Sequence, residues 1–195
     1  MATQRLFIAV PCTLPTPELD AHLGTLPADA WRTVQPGQRH VTLAFLGALP
    51  DGVDKRLAQV LDAGLADQAG FFLDLAGLGA FPDRRGPTAL WAGCASGTEP
   101  MVALAARVRD ALHRVGFSVD RRPLRAHVTL ARRRSRVAPQ AAARDAASWL
   151  RAGTGRVWAR MRVLQVVLWR SQLDPGGARY TELGSWPLAG RRAVP

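Results

Sequence analysis

Short apolar or alternating runs, bounded by Gly, Pro or Asp, recur along the chain and are typical of β-strands that are buried on at least one face. Seven strands are predicted in this way, at Leu6 to Val10, Arg39 to Leu46, Phe71 to Phe81, Thr88 to Ala92, Arg125 to Ala131, Val157 to Trp169 and Ala178 to Leu188. Gly47 is predicted to end the second of them, and Asp174-Pro175-Gly176-Gly177 favours a turn before the last.

Between these runs, apolar residues recur at the three- and four-residue spacing of amphipathic helices. Four helices are predicted, from Thr16 to Gly24, from Asp51 through Leu65, from Glu99 to Val115 and from Pro139 to Leu150. Thr16 is the expected cap of the first helix, with proline in its first turn. Because strands and helices are intermixed and no long polar linker separates them, the sequence predicts an α+β fold and a single domain over residues 1–195.

One pentapeptide, His-Val-Thr-Leu-Ala, occurs twice, at His40 to Ala44 and at His127 to Ala131. Its surroundings recur as well. A strand-like segment precedes each copy, opening at Leu6 and at Leu90, and a helical stretch followed by an apolar run comes after each copy. The recurrence indicates two similar halves.

Side chains of a β-strand alternate between its faces, so each copy of the motif presents a pair of polar groups together. His40 and Thr42 point one way in the first copy, and His127 and Thr129 point one way in the second. Each copy therefore offers one imidazole that can carry a proton and one hydroxyl that can donate a hydrogen bond.

The charge of the chain favours an anionic partner. Its 195 residues carry a formal net charge of +11, and 25 of the 26 basic residues are Arg. The preference for Arg over Lys is also what a biased genomic base composition would give, but the placement is uneven. Arginines concentrate around the second motif, with Arg121, Arg122 and Arg125 before it and Arg132, Arg133, Arg134 and Arg136 after it. An anionic substrate would be attracted there.

Several classes of protein are disfavoured. The apolar stretches are too short to span a membrane, and the first residues lack a signal-peptide core, so we expect a soluble, cytoplasmic protein without a membrane partner. Cys12 and Cys94 give no disulfide framework, and free thiols are expected. No Asp or Glu lies within either motif, so we expect neither a metal nor another cofactor.

Two histidines, each beside a threonine in a basic setting, fit cleavage of a phosphodiester. In-line attack at phosphorus needs a base for the incoming oxygen and an acid for the leaving oxygen on the opposite side. Imidazoles with pKa values near 6.5 can fill both roles. Threonine hydroxyls and an arginine would hold the non-bridging oxygens. From the residues alone, the local symmetry leaves open which histidine is the acid.

Several segments together resemble a known family. These are Arg5-Leu6-Phe7-Ile8-Ala9-Val10, both His-Val-Thr-Leu-Ala motifs, Phe81-Pro82 followed by Leu90-Trp91, Gly116-Phe117, and Tyr180 with Trp186-Pro187-Leu188. The chain resembles, nearly end to end, the two-histidine phosphoesterases, and in particular the RNA 2′,3′-cyclic phosphodiesterases once called 2′-5′ RNA ligases. In one departure, Gln38 stands where the family often has Asn two residues before the first histidine.

The resemblance implies a bilobal fold in which two antiparallel sheets face each other across a central cleft, with helices outside. It implies hydrolysis of a terminal 2′,3′-cyclic phosphate of RNA to a 2′-phosphomonoester without a metal. Carried over by position, His40 is the expected proton donor and His127 the proton acceptor. The expected phosphate-binding residues are Thr42, Thr129 and Arg132. The expected partner is RNA with cyclic phosphate ends, of which tRNA fragments are one source, and we expect the protein to act as a monomer.

Other functions stay open at this level. The chain is also compatible with 2′-5′ joining of RNA ends, with cleavage of a small cyclic nucleotide or 2′-5′ oligoadenylate, and with binding of RNA ends without turnover. The two remaining histidines, His22 and His113, lie in predicted helices and are expected at the surface. Phe7, Phe45 and the six tryptophans are candidates for stacking on a base, although we expect core packing for most of them.

Overall fold

A computed structural model describes residues 2–12, 15–83, 85–120, 122–174 and 177–188. Arg121 of the basic cluster, and Pro175 and Gly176 of the predicted turn, lie outside these ranges. Within them the helices are α1 (Pro17–Leu23), α2 (Asp54–Leu65), α3 (Thr98–Arg114) and α4 (Pro139–Ala152), with one 3₁₀ turn at Pro36–Gln38. The strands are β1 (Thr3–Pro11), β2 (Trp31–Thr33), β3 (His40–Pro50), β4 (Phe71–Asp83), β5 (Gly86–Cys94), β6 (His127–Arg133), β7 (Val157–Val163), β8 (Gln165–Asp174) and β9 (Gly177–Pro187).

The strands form one curled sheet in which all the neighbouring pairs are antiparallel. Their order is β7-β4-β5-β6-β3-β1-β8-β9, with β2 paired to β6 beside this path. The His40 lobe comprises β3, β1, β8 and β9, and the His127 lobe comprises β6, β5, β4 and β7. Val41 of β3 and Val128 of β6 are the paired residues that join the two lobes. The α+β fold with two related lobes is confirmed.

The core lies on one face of the sheet, and all four helices contribute to it. Leu6, Ile8 and Val10 of β1 are almost completely buried there, as strand alternation requires. They pack in one cluster with buried helix residues such as Leu57 and Leu104. Burying a Leu or Ile side chain contributes roughly 1.5–3 kcal/mol. This core leaves the opposite face of the central strands available for the polar residues of the motifs.

The prediction of a single strand from Val157 to Trp169 is wrong. The chain forms two strands that break at Leu164, and they lie in different lobes, β7 beside β4 and β8 beside β1. Val163 and Val166 are both buried in the same core. Residues three apart in one strand would point to opposite faces, so the backbone must change direction between them. The carbonyl of the half-exposed Leu164 accepts a hydrogen bond from the N–H of Leu188 at 2.7 Å.

The prediction that Gly47 ends the first motif strand is wrong. Strand β3 continues to Pro50, and Gly47 adopts a positive φ of 72° next to a register shift between β1 and β3. Such a bulge accommodates an extra residue and bends the strand. The short strand β2 was missed because three residues carry too little periodic pattern to be recognised.

Candidate active site

The two motifs begin adjacent antiparallel strands, and their pairing places each histidine near the threonine of the other copy. With Val41 opposite Val128, an antiparallel register brings His40 level with Thr129 and Thr42 level with His127. Because the two valines are buried in the core, the histidines and threonines beside them point to the opposite face. The motif residues thus form one constellation about an approximate twofold axis.

This constellation lies in a cleft of about 410 Å³. All five residues predicted for the site line it. The lining residues are Arg5, Phe7, Arg32, His40, Thr42, Phe45, His127, Thr129, Arg132, Ser171, Ala178 and Tyr180. Most of the wall therefore comes from the His40 lobe, and β6 and β2 supply the opposite side.

Each imidazole is fixed by the backbone two residues before it. Nδ1 of His40 donates to the carbonyl of Gln38 at 2.8 Å, and Nδ1 of His127 donates to the carbonyl of Arg125 at 2.7 Å. A carbonyl oxygen only accepts, so Nδ1 carries the hydrogen in both rings. Nε2 of each histidine is left to take or give a proton.

The surroundings of the two rings differ. His40 is enclosed by Phe7, Trp169 and Tyr180, with ring centroids 4.9, 4.9 and 5.1 Å away. His127 contacts Phe81 at 4.7 Å, and the Trp91 ring lies 6.2 Å from it. His40 therefore has the larger apolar enclosure.

This difference appears in the acidity of the rings. Burial lowers the pKa of His40 to about 4, and the positive charges of Arg132 and His127 act in the same direction, against the bond to Gln38. Burial also lowers the pKa of His127 from its ordinary value of 6.5, again assisted by Arg132. His40 is consequently neutral near pH 7 while the cleft is empty.

Three arginines line the cleft. Arg132 on β6 is paired across the sheet with Arg32 on β2, and Arg5 on β1 lies on the other side. Arg132 was predicted from the sequence, but Arg5 and Arg32 were not. Arg5 lies on the same strand face as Phe7, and this alternation could have predicted its place in the cleft. Arg32 gave none, since β2 was not predicted.

The two motifs differ at the fifth residue after each histidine. Phe45 stands at this position in the first copy and Arg132 in the second, and both line the cleft. Phe45 is 47% exposed, and the Arg5 guanidinium lies 5.4 Å from its ring centroid. The approximate symmetry is therefore broken, with an aromatic ring on one side of the cleft and a positive charge on the other.

Gln38 links the catalytic candidate His40 to the last strand. Its carbonyl accepts from the ring of His40, and its side-chain Oε1 accepts from the backbone N–H of Tyr180 at 2.9 Å. Tyr180 in turn lies edge-on against His40. The Gln side chain, which is one methylene longer than that of Asn, reaches the backbone N–H of Tyr180 on β9.

An ion pair between the buried Arg39 and the partly exposed Asp20 fixes the start of β3. Arg39 is 5% exposed, and its guanidinium contacts Asp20 at 2.5 Å and donates to the hydroxyl of Thr16 at 2.9 Å. The Thr16 hydroxyl therefore faces Arg39 instead of capping α1 with its side chain. This contact anchors helix α1 to the residue that precedes His40.

The remaining candidates fall outside the cleft. His113 is exposed, as predicted. The prediction for His22 is wrong, because its ring is half-buried and stacks on Trp149 and Trp158 at 4.8 and 5.1 Å. Most of the tryptophans pack in the core, as expected.

Cys12 and Cys94 are free, and burial raises their pKa values to about 12 and about 11, so neither is a ready nucleophile. Over the described ranges, no group of three or more His, Cys, Asp or Glu side chains is arranged to hold a metal ion. None of the helices in this part of the chain is long and apolar enough to cross a membrane.

Comparison with known proteins identifies the family. A model of the 2′-5′ RNA ligase superfamily matches residues 19–175. The chain belongs to this superfamily. An RNA 2′,3′-cyclic phosphodiesterase of Escherichia coli is 30% identical over 95% of this chain and 97% of its own length. One of Geobacillus stearothermophilus is 32% identical over 97% of this chain, which spans only 59% of that relative's length. The family predicted from the motifs is confirmed.

Solved structures agree with this assignment. A protein of Thermus thermophilus superposes with a TM-score of 0.74 and 27% identity, covering 96% of this chain and 100% of its own. LigT of E. coli, in its complex with 3′-AMP, superposes with a TM-score of 0.69 and 29% identity, covering 96% of this chain and 99% of its own. LigT has also been crystallised with phosphate.

Proposed function

We propose that this protein hydrolyses the 2′,3′-cyclic phosphate at the end of an RNA to a 2′-phosphomonoester, by acid–base catalysis without a metal. The observation that carries the proposal is the placement of two imidazoles and two threonine hydroxyls around one twofold arrangement in a cleft bordered by arginines. The names of the relatives, RNA 2′,3′-cyclic phosphodiesterases, support the same substrate.

The proposed reaction begins with a water molecule on the side of the cyclic phosphate opposite O3′. His127 Nε2 takes a proton from this water as its oxygen attacks phosphorus. The bond between phosphorus and O3′ breaks, and His40 Nε2 gives its proton to O3′. The products are a 2′-phosphomonoester and a 3′-hydroxyl, with the proton moved from His40 to His127.

Developing charge on the phosphoryl oxygens would be held by fixed donors. The hydroxyls of Thr42 and Thr129 and the guanidinium of Arg132 line the same cleft. Such donors stabilise a transition state more than a ground state when they are aimed at the oxygens on which charge grows. Removing one donor of this type typically lowers kcat by about 10² to 10³.

The donor role of His40 requires the substrate. A pKa of about 4 leaves this ring neutral in the empty cleft, and a neutral ring with its hydrogen on Nδ1 has no proton to give from Nε2. The cyclic phosphate carries a negative charge, which favours the charged imidazolium and raises its pKa. The reverse assignment, with His40 as the base, requires no rise in the pKa of His40. It is the alternative to be tested.

We place the terminal nucleoside against the His40 lobe. Phe45 is exposed there, beside Phe7 and Tyr180, and an exposed aromatic ring is a stacking surface for a base. E. coli LigT has been crystallised with 3′-AMP, and this complex supports the proposal that the cleft accepts a nucleoside phosphate.

We further propose that the protein acts as a monomer in the cytoplasm, where a reducing environment suits its free thiols. We also propose that tRNA fragments are among its substrates.

The test is turnover of a short RNA with a cyclic phosphate end in excess chelator, by the native protein and by the double variant His40→Ala/His127→Ala. Turnover by the native protein alone supports the proposal. Binding of the RNA without any turnover would contradict it and favour an RNA-end binder. Turnover only with an added divalent cation would contradict the metal-free mechanism.

A further inference from the structure

A pair of arginines flanks an exposed aromatic ring at the outer edge of the His127 lobe. The guanidinium carbons of Arg160 and Arg162 lie 4.8 and 5.7 Å from the ring centroid of Phe72. Phe72 is 50% exposed, and the Arg160 side chain is 65% exposed. We call Phe72, Arg160 and Arg162 the basic strip. Its members are cross-strand neighbours, since Phe72 is paired with Arg162 between β4 and β7.

The basic strip is on the face of the sheet that carries the catalytic candidates. Leu73 and Leu75 of β4 and Met161 of β7 are buried in the core. Phe72, which precedes Leu73, and the two arginines, which flank Met161, therefore point to the other face. The strands β6, β5, β4 and β7 follow each other in the sheet, so this face is continuous from the first motif residue of β6 to the edge.

Aromatic surface covers part of the interval. Phe81 and Trp91 contact or adjoin His127. The Trp91 ring lies flat against Gly79 of β4, where an added Cβ would be only 2.1 Å from the ring. Aromatic side chains thus extend from His127 across β5 to β4, the strand that also carries Phe72.

The strip retains positive charge. Asp74 faces Arg160 at 3.7 Å, so one carboxylate adjoins two guanidiniums. Sites for single-stranded nucleic acids combine positively charged side chains, which bind phosphates, with an aromatic ring on which a base stacks. Nothing in the proposed reaction itself uses these three residues.

We propose that the basic strip binds the RNA strand on the 5′ side of the cyclic phosphate, so that the enzyme prefers oligonucleotides to cyclic mononucleotides. This inference rests on the proposed function. With strands about 4.8 Å apart and residues rising about 3.3 Å, the strip lies roughly 15–20 Å from His127. At about 3.4 Å per stacked nucleotide, a chain of four to six nucleotides reaches it.

The experiment compares kcat/KM for adenosine 2′,3′-cyclic phosphate and for a decamer with the same end, using the full chain. The variants are Arg160→Gln/Arg162→Gln and Phe72→Ala. A matched control, Arg144→Gln/Arg151→Gln, removes two exposed positive charges from α4, which packs on the other face of the sheet. Thermal unfolding of each variant verifies that it is folded.

The native protein should favour the decamer, and each strip variant should lose roughly five- to tenfold on the decamer with no loss on the mononucleotide. The double variant should also flatten the salt dependence on the decamer, by about 1.4 in the slope of log kcat/KM against log salt. The control should behave as the native protein.

Equal losses in the control, or an unchanged length preference in the strip variants, would overturn the inference. If the native protein turns over neither substrate, the proposed function has failed. Fluorescence anisotropy of a labelled decamer then decides the inference separately: weaker binding by the strip variants than by the control supports it, and equal binding overturns it.

Discussion

Val41 is paired with Val128 at the junction of the two lobes, and this pair determines which histidine lies beside which threonine. Each histidine is level with the threonine of the other motif, and the two rings are held in the same way by the carbonyl two residues earlier. The repeated motif thus places two imidazoles and two hydroxyls at equivalent backbone positions in one cleft. Equivalent backbone positions do not make the rings equivalent, because their aromatic neighbours differ.

Each histidine should be needed for turnover of RNA, but only the acid should become dispensable when the leaving group needs no proton. We expect His40→Ala and His127→Ala each to lower kcat on cyclic phosphate-ended RNA by about 10² to 10⁴. On a p-nitrophenyl phosphodiester of a nucleoside, the leaving phenolate departs unprotonated. His40→Ala should then recover most of its rate, and His127→Ala should stay impaired.

The opposite pattern, with recovery only in His127→Ala, would assign the base to His40. Such a result would keep the reaction but reverse the two roles. Ordinary activity of either variant on RNA would contradict the mechanism.

The pKa of His40 should respond to a bound anion. In the free protein the ring should titrate near pH 4, and saturating inorganic phosphate should raise this value because a nearby anion favours the imidazolium. The imidazole proton signals in an NMR titration report it directly. A His40 pKa that does not move when phosphate binds would be incompatible with its role as donor.

The same lowered pKa has a consequence for stability. In the unfolded chain His40 has an ordinary pKa of 6.5, so between about pH 6.5 and 4 the unfolded state binds more protons than the folded state. The free energy of unfolding should therefore fall as pH falls through this window and be fully present above it. Replacing His40 by Asn should flatten the dependence, as measured by urea unfolding at several pH values.

Phe45 and Arg132 should affect different kinetic constants. Arg132→Gln removes the charge that we propose acts on the phosphoryl oxygens, and we expect kcat to fall by about 10² to 10³. Phe45→Ala removes the proposed stacking surface for the base. Such stacking contributes about 1–3 kcal/mol, so the variant should have a higher KM with little change in kcat. Steady-state kinetics on a cyclic nucleotide separate the two. A large fall in kcat for Phe45→Ala would contradict this division.

Gln38 should matter as a positioning residue. Gln38→Ala removes the bond from the Tyr180 N–H to Oε1 but keeps the backbone carbonyl that holds His40. We expect a fall in kcat of about tenfold, together with a shifted pH profile, and a partial recovery in Gln38→Glu, which keeps an acceptor at the same reach. A change in thermal stability alone, with an unaltered profile, would show that the contact is merely structural.

The sequence was sufficient for the parts of the site that depend on local alternation. The positions of His40, Thr42, His127 and Thr129 on one face follow from the two-residue period of a strand. Arg132 was identified from its place beside the second motif. The approximate twofold arrangement followed from the repeat itself.

Residues that reach the cleft from distant strands were not predicted. Tyr180 of β9 and Arg32 of β2 reach the cleft through pairing registers that no local pattern encodes. The break at Leu164 was missed because the apolar run continues across it. The three-residue spacing of Val163 and Val166 indicates the break only once both side chains are known to lie in the same core.

The proposed metal-free hydrolysis can be tested by phosphorus NMR of the product formed from a short RNA with a 2′,3′-cyclic phosphate end in excess chelator. We expect a single 2′-phosphomonoester, with O3′ as the leaving oxygen. Unchanged substrate in the presence of demonstrated binding would contradict it, and a 3′-phosphomonoester would show that the other oxygen departs.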